Sequence, residues 1–252
     1  MNAFPTPDNH DGPPTDIQFD DALDIERIEG GVEPKLPITI VLDLSGSMAP
    51  VKPELERLLP LLGDAMRGEA LIAQTAVTSI IGFASDAEHL GERRVHLADS
   101  SVTWPAIETG DATNYDAALR LLRETIEQDV DALKLAFGKA YRPLVFFMTD
   151  GNPNVGGDWS ATWSSFCGPD SGFRYRPNMV SIGLGQVNDS VLQELTNVGI
   201  AWKYSGGDAT EFVKGLLELI FNTVVTQLAA VASAVAPMAT PTPSGFIQLD
   251  AV

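Results

Sequence analysis

The stretch VLDLSGSMAP, residues 41–50, places one acid and two hydroxyl side chains directly after a run of apolar residues. The run begins with LPITIVL, residues 36–42, and so dense a set of apolar and β-branched residues is typical of a buried strand. Asp43, Ser45 and Ser47 are two residues apart, so a tight loop after the strand can turn all three the same way. The glycine between the serines lets that loop turn without a Cβ clash. The stretch therefore predicts a strand whose end presents several oxygen atoms at one point.

Strand-like and helix-like segments alternate along the rest of the chain. Apolar, β-branched runs predict strands, and apolar side chains at helical spacing predict helices. The predicted strands are residues 36–44, 73–85, 93–98, 142–151, 177–185 and 200–205, and the predicted helices are residues 50–68, 113–136, 188–199 and 208–231. Pro60 lies within the first helix, where we expect a kink or a break. Strands that are apolar at every position predict an α/β fold, a doubly wound and mostly parallel sheet with helices on both faces.

We predict one domain flanked by two tails. Residues 1–35 are rich in Pro, Asp and Gly and carry nine acids against two basic residues, a composition that predicts disorder. Within this tail, residues 17–28, IQFDDALDIERI, mix apolar residues with acids and are either solvated or a docking segment for a partner or for the domain. The domain is predicted to span residues 36–235, and residues 236–252 are predicted to form a flexible C-terminal tail.

Composition limits the classes of function. The formal net charge of -18 would repel a phosphate backbone, so nucleic acid is not expected as a partner. The single cysteine, Cys167, excludes an internal disulfide and a zinc site made of cysteines. The first residues lack the basic and apolar regions of a secretory signal, so we expect a cytoplasmic protein. Residues 219–237 are long enough to span a membrane, but polar residues interrupt them, which favours a buried or partner-facing helix and no membrane association.

Two further loops bring oxygen atoms to the same edge of the predicted sheet. Asp150 ends an apolar strand, and Thr113 lies in a glycine-containing loop that leads into a helix. Doubly wound sheets bind ligands at the carboxyl ends of their strands. Two carboxylates and three hydroxyls suit a hard cation, Mg²⁺ above all, with Mn²⁺ as the alternative. The candidate metal ligands are therefore Asp43, Ser45, Ser47, Thr113 and Asp150.

These residues resemble the metal-ion-dependent adhesion site, or MIDAS, of von Willebrand factor A (vWA) domains. The D-x-S-x-S pattern at a strand end, the threonine before a helix and T-D-G after an apolar strand all occur here in the family's order. The resemblance covers nearly the whole domain. It implies that the hydroxyls contact the metal directly or through water and that the aspartates often act through water. It also implies that an Asp or Glu of a protein partner completes the coordination.

Three segments narrow the resemblance to bacterial TerY-type vWA proteins, which are found with tellurite-resistance clusters. They are LPITIVLDLSGSM, GDATNYDAALRLL and YRPLVFFMTDGNPN. Two places differ: residues 111–113 are Asp-Ala-Thr where the family usually has Gly-Gly-Thr, and residues 152–154 are Asn-Pro-Asn where it tends to have Pro-Thr-Asp. The resemblance implies an adaptor in stress-response, tellurite-resistance or phage-defence signalling, with a Ser/Thr protein kinase and a PP2C-type phosphatase as partners.

Enzymatic activity is not expected. Haloacid-dehalogenase phosphatases need a second Asp two residues after the first, and here that residue is Ser45, which is no acid or base near neutral pH. A serine hydrolase needs G-x-S-x-G and a histidine base, and DLSGSM lacks the first glycine. The chain also lacks the lysine motif of a phosphate-binding loop. We therefore predict neither a catalytic residue nor a small-molecule substrate.

Residues of the loops around the metal site are candidate partner contacts. These rim candidates are Met48, Asp111, Asn114, Asn152 and Trp159. The tryptophan lies four residues before Trp163, and the pair either packs onto the sheet or offers an interface hot spot. A carboxylate of the acidic N-terminal tail, in the same chain or in a neighbouring one, is a further candidate ligand of the metal, which would make the tail autoinhibitory.

Two other functions stay open at this point. The chain could be a structural or assembly subunit of a larger complex, with its tails as docking segments. It could also be a co-factor of an AAA+ ATPase, as other vWA proteins are.

Overall fold

The structure is a computed structural model that describes residues 33–96, 99–104, 106–206, 208–233 and 242–250. Over these residues the chain forms one seven-stranded sheet and six α-helices. The strands are β1 (Leu36–Asp43), β2 (Ala76–Phe83), β3 (Ala87–His89), β4 (Leu144–Thr149), β5 (Asn178–Gly183), β6 (Ile200–Tyr204) and β7 (Phe246–Asp250). The helices are α1 (Lys52–Arg67), α2 (Ala70–Thr75), α3 (Tyr115–Phe137), α4 (Trp159–Cys167), α5 (Asp189–Leu195) and α6 (Ala209–Ser233).

The sheet is mostly parallel, with strand order β3-β2-β1-β4-β5-β6-β7. The five central strands pair in parallel, and the edge strands β3 and β7 pair antiparallel. Helices α1, α2 and α6 cover one face, and α3 and α4 cover the other. This arrangement confirms the predicted α/β fold with helices on both faces. It also explains why β1 and β4 are buried at every position, since each strand face meets a helix layer.

Helix α6 is buried against the sheet and packs against α1. Its core residues include Leu216, Leu219, Ile220 and Val224, all fully buried. Among the residues described, α6 is the one helix long and apolar enough to cross a membrane, with a mean hydropathy of 1.3 over Ala209–Ala230 and 56% of its apolar window buried. The burial of these residues accounts for the apolar character of the helix, as predicted.

Several local predictions differ from the structure. Residues 73–75, predicted as strand, end α2. The strand predicted at residues 93–98 is described only over residues 93–96, where a single bridge joins Val95 to Thr78. Strand β3 was not predicted, because three residues carry too little pattern. Helix α1 continues through Pro60 without a break. Pro60 has no N–H to donate to the carbonyl of Glu56, four residues earlier in the helix. Glu56 is exposed, so water can hydrogen-bond to that carbonyl instead.

The prediction of a flexible C-terminal tail over residues 236–252 was wrong for residues 246–250. They form β7, which pairs antiparallel with β6. Phe246 is only 4% exposed, and its ring centroid lies 5.3 Å from that of Tyr204. Burial of this ring offsets the entropy cost of ordering a short edge strand. Residues 1–32 of the N-terminal tail predicted to be disordered, including the docking segment at residues 17–28, lie outside the described residues, whereas Lys35 at the end of that tail forms a bridge with Ala140.

Candidate metal-binding site

Three loops meet at the carboxyl edge of the parallel strands. The loop after β1 passes through a short 3-10 turn at Gly46–Met48. An isolated parallel bridge pairs Ser45 with Gly110, and the Gly110 N–H donates to the carbonyl of Leu44 at 2.6 Å. The loop after β1 is thereby joined to the loop that precedes α3.

The loop after β4 is joined to the loop before α3 as well. The Thr113 N–H donates to Asn154 Oδ1 at 2.9 Å, and the Asn154 N–H donates to the Thr113 carbonyl at 3.1 Å. This reciprocal pair holds the threonine beside the loop that begins at Asp150. The topology therefore brings all five candidate ligands to one edge of the sheet, as predicted.

Hydrogen bonds link four of the five candidate ligands directly, three of them through side chains and Asp43 through the backbone N–H of Ser45. Ser47 Oγ donates to Asp150 Oδ1 at 2.8 Å, and the hydroxyl oxygens of Ser45 and Ser47 are 3.1 Å apart. The Ser45 N–H donates to Asp43 Oδ1 at 2.8 Å. No hydrogen bond among the described residues joins the Thr113 hydroxyl to these four, so Thr113 is placed through its own backbone N–H and carbonyl, both of which are bonded to Asn154.

The ligand set is buried on one side and open on the other. Asp43, Ser45 and Thr113 are 0%, 4% and 3% exposed, whereas Ser47 is exposed and Asp150 is half-buried. A ligand from solvent would therefore approach from the side of Ser47 and Asp150.

Both carboxyl groups of the site have perturbed pKa values. Burial raises the pKa of Asp43 above its usual range, opposed by hydrogen bonds from Thr149 and Ser45, and the charge of Asp150 raises it further. Burial also raises the pKa of Asp150, opposed chiefly by the hydrogen bond from Ser47. Among the ion pairs of the described residues, none involves Asp43 or Asp150. The two carboxylates therefore lack a counter-charge, which a bound cation would supply.

The donor set fits a hard divalent cation that keeps part of its water shell. Over the described residues there is no cluster of three or more His, Cys, Asp or Glu, so a metal here would depend on hydroxyl oxygens and water besides two carboxylates. Mg²⁺ prefers oxygen ligands and dehydrates reluctantly. Such a sparse, all-oxygen set matches that preference better than it matches the nitrogen and sulfur preferences of zinc.

Two residues beneath the candidate ligands were not predicted to belong to the site. Thr149, the last residue of β4, donates through Oγ1 to Asp43 Oδ2 at 2.6 Å. Tyr115 OH lies 3.0 Å from Thr149 Oγ1 and donates to the Gly151 carbonyl at 2.7 Å. A hydroxyl in an otherwise apolar strand is a signal that could have revealed Thr149. Tyr115 carries no comparable signal, because a tyrosine at a helix start is ordinary.

Two of the predicted rim residues are held by contacts within the domain. Met48 is 1% exposed and lies in the core beneath the 3-10 turn, so the interpretation of Met48 as a partner contact was wrong. Asn114 caps α3 by accepting the Ala117 N–H at 3.1 Å, and its amide nitrogen donates to the Ser85 carbonyl at 3.0 Å. The asparagine is thus held on both sides by contacts within the domain.

The other rim residues differ in exposure. Asp111 and Asn152 are exposed, and Asn152 Oδ1 accepts the N–H of Asn188 at 3.0 Å. Trp159 is partly buried, with its ring centroid 5.6 Å from that of Tyr115, which favours packing over an exposed hot spot. Val155, 48% exposed in the loop after β4, is an apolar rim residue that the sequence did not single out.

The mostly parallel sheet with helices on both faces is the vWA fold. Solved vWA domain structures match this chain across most of its length. The ArnB paralog VWA2 from Sulfolobus acidocaldarius is 18% identical with a TM-score of 0.51, covering 75% of this chain and 46% of its own. A von Willebrand factor type A protein from Catenulispora acidiphila is 13% identical with a TM-score of 0.52, covering 74% of this chain and 42% of its own.

A third similar structure contains a metal. Proximal thread matrix protein 1 from the mussel byssus, solved with a zinc-occupied MIDAS motif, is 15% identical with a TM-score of 0.53, covering 77% of this chain and 48% of its own. This chain therefore spans about half the length of the solved structures it matches, and identities this low establish the fold alone. No protein-family model matches the chain, and no curated protein matches it.

Proposed function

We propose that this protein is a non-enzymatic, Mg²⁺-dependent interaction module whose metal site binds an Asp or Glu of a protein partner. The observation that supports the proposal most directly is the linked set of oxygen atoms at the carboxyl edge. Ser47 Oγ lies 2.8 Å from Asp150 Oδ1 and 3.1 Å from Ser45 Oγ, on the open side of the sheet edge. The vWA fold supports it further, because one structural neighbour with this fold is a pilus adhesin.

Each residue of the site has a distinct part in this proposal. The hydroxyls of Ser45, Ser47 and Thr113 would contact the cation, and the two aspartates would act through water. Asp43 is fully buried and already accepts a hydrogen bond on each oxygen, so it supplies charge and holds the loop. The cation, Mg²⁺ or alternatively Mn²⁺, would supply the open coordination position that a partner carboxylate fills. Asp111 and Asn152 would contact the partner at the rim.

The cellular setting belongs to the same proposal. The segments LPITIVLDLSGSM and GDATNYDAALRLL support a cytoplasmic bacterial adaptor of TerY type, acting in tellurite resistance, stress response or defence. A Ser/Thr protein kinase and a PP2C-type phosphatase are the partners that this resemblance suggests. Nucleic acid, membrane and small-molecule ligands form no part of the proposal, in keeping with the acidic composition and the protein-binding role. A structural subunit or an AAA+ co-factor is the alternative.

Affinity capture from the native cell tests the proposal. The full chain is used as bait in Mg²⁺ and in EDTA, beside the variants Thr113→Ala and Ser47→Ala, with mass spectrometry of the captured proteins. Ser47 is exposed, so its substitution leaves the fold intact, whereas Asp43→Ala would also remove support for Ser45. The matched control is Ser165→Ala, in α4.

We expect the partner to be lost in EDTA and with both site variants, and retained with the control. A partner that is retained in EDTA and by both site variants would exclude a metal bridge. That outcome would favour a structural or assembly role carried by other surfaces.

A further inference from the structure

Two hydroxyl groups lie beneath the ligand loops and connect them. They belong to Tyr115, the first residue of α3, and to Thr149, the last residue of β4. We propose that Tyr115 and Thr149 are positioning residues that hold the loops of Asp43 and Asp150 at the separation that a bound cation requires. This inference rests on the proposed metal-dependent function. It adds to the site two residues that would support the metal ligands without contacting the metal.

The hydrogen-bond directions follow from counting protons. Thr149 has one hydroxyl proton, and its shortest contact is with Asp43 Oδ2 at 2.6 Å, so an ionised Asp43 receives it. Tyr115 also has one proton, and its shorter contact is with the Gly151 carbonyl at 2.7 Å. Thr149 thereby secures Asp43, and Tyr115 secures the backbone immediately after Asp150.

The carboxylate of Asp43 is oriented at both oxygens. Oδ1 accepts the N–H of Ser45 at 2.8 Å, and Oδ2 accepts the hydroxyl of Thr149. Asp43 is 0% exposed, so bulk water does not replace a donor that is removed. Loss of the Thr149 hydroxyl would therefore free the carboxylate plane to turn and would disturb Ser45, a candidate metal ligand.

Tyr115 is well suited to hold a fixed distance because its ring is immobilised. It is 0% exposed, and its centroid lies 5.8 Å from Phe83, 5.2 Å from Phe147 and 5.6 Å from Trp159. Edge-on aromatic contacts of this kind fix the ring direction. Tyr115 also follows Thr113 by two residues, so a single buried side chain is linked to all three ligand loops.

The packing of Tyr115 needs only its ring, so the hydroxyl and the ring can be separated experimentally. Tyr115→Phe keeps the aromatic contacts and removes both hydroxyl contacts. Tyr175→Phe is the matched control, since Tyr175 is 5% exposed and its hydroxyl donates to Asp131, which is not one of the candidate ligands. Mn²⁺ is the probe, because its free concentration is measured directly by electron paramagnetic resonance.

We expect Tyr115→Phe to weaken Mn²⁺ binding about fivefold, the usual effect of one lost hydrogen bond. The control should bind Mn²⁺ as the wild type does. Thr149→Val should weaken binding at least as much, and Thr149→Ser, which keeps the hydroxyl, should restore it. The melting temperatures of the metal-free proteins are measured in parallel, because a purely structural role would lower them and leave Mn²⁺ affinity unchanged.

The outcomes separate this inference from the proposed function. If the wild type binds Mn²⁺ and Tyr115→Phe and Thr149→Val bind it equally well, the positioning role is wrong and the metal site stands. If the wild type binds no Mn²⁺, the proposed function fails, and the positioning role fails with it.

Discussion

At the scale of single residues, Asp129 of α3 holds together three parts of the chain. Its Oδ1 accepts from Arg93 at 2.5 Å and from Arg94 at 2.8 Å, and its Oδ2 accepts from Ser79 Oγ at 2.7 Å. Arg94 has a left-handed φ of 57°, unusual for a side chain of its size, and its N–H donates to the same serine. The Asp129 network therefore fixes the loop that follows β3.

We expect Asp129→Ala to lower the free energy of unfolding by about 3 kcal/mol, because it leaves two arginines without their buried partner. The matched control is Asp131→Ala, two residues along the same helix, whose side chain is 53% exposed beside Arg174. Asp131 would lose this exposed pair and the hydrogen bond from the Tyr175 hydroxyl, together worth about 1 kcal/mol. Urea denaturation of both variants measures the difference, and equal losses would contradict the assigned role of Asp129.

At the scale of elements, α6 and β7 are in unusually close contact. A Cβ placed on Gly215 of α6 would lie 2.1 Å from the Ser244 carbonyl oxygen and 3.1 Å from the ring of Phe246. The side chain of Ser244 also donates to Glu211 Oε1 at 2.9 Å. The strand therefore reaches its place beside β6 only because the helix has a glycine at this point.

The variant Gly215→Ala tests that contact, and we expect it to destabilise the protein, although this substitution usually stabilises a helix. Alanine normally stabilises a helix by about 1 kcal/mol relative to glycine. Here we expect a lower melting temperature and faster amide exchange in β7, because the added methyl group would displace the turn before the strand. Lys214→Ala, at an exposed position of the same helix, is the control. An increased melting temperature for Gly215→Ala would show that the contact is not tight.

At the scale of the whole molecule, the described residues include two histidines near the β3 edge of the sheet, His89 and His96, whose protonation opposes folding. Burial lowers the pKa of His89 and of His96, with Arg93 lowering the first further and Lys35 the second. The unfolded chain then takes up protons first as the pH falls below about 6.5. The stability that depends on these histidines is therefore fully present above about pH 6.5. It is lost as the pH falls from there to the lowered pKa values of the folded state.

We expect the free energy of unfolding to fall between pH 7 and pH 5 by more in the wild type than in the double variant His89→Gln/His96→Gln. Denaturation is followed in EDTA, so that the titration of metal ligands is equal in both proteins. Parallel pH profiles for the two proteins would show that the histidines are solvated in the folded state.

Local pattern was enough to predict much of this molecule. The apolar runs before Asp43 and Asp150 predicted two central strands, since a strand covered on both faces shows its burial in its own sequence. The two-residue spacing of Asp43, Ser45 and Ser47 predicted their convergence, because a tight loop after a strand determines it locally. The sequence by itself thus determined the α/β architecture and the edge at which oxygen ligands gather.

Only the tertiary structure decided which groups touch and which are withdrawn into the core. The bond from Ser47 to Asp150 joins residues 103 positions apart, and that from Thr149 to Asp43 joins residues 106 apart. The burial of Met48 and the pairing of β7 depend likewise on neighbours distant in the chain. The periodicity of a segment indicates whether its side chains are buried, but it does not indicate which other segment covers them. That second choice depends on how the sheet and the helix layers pack.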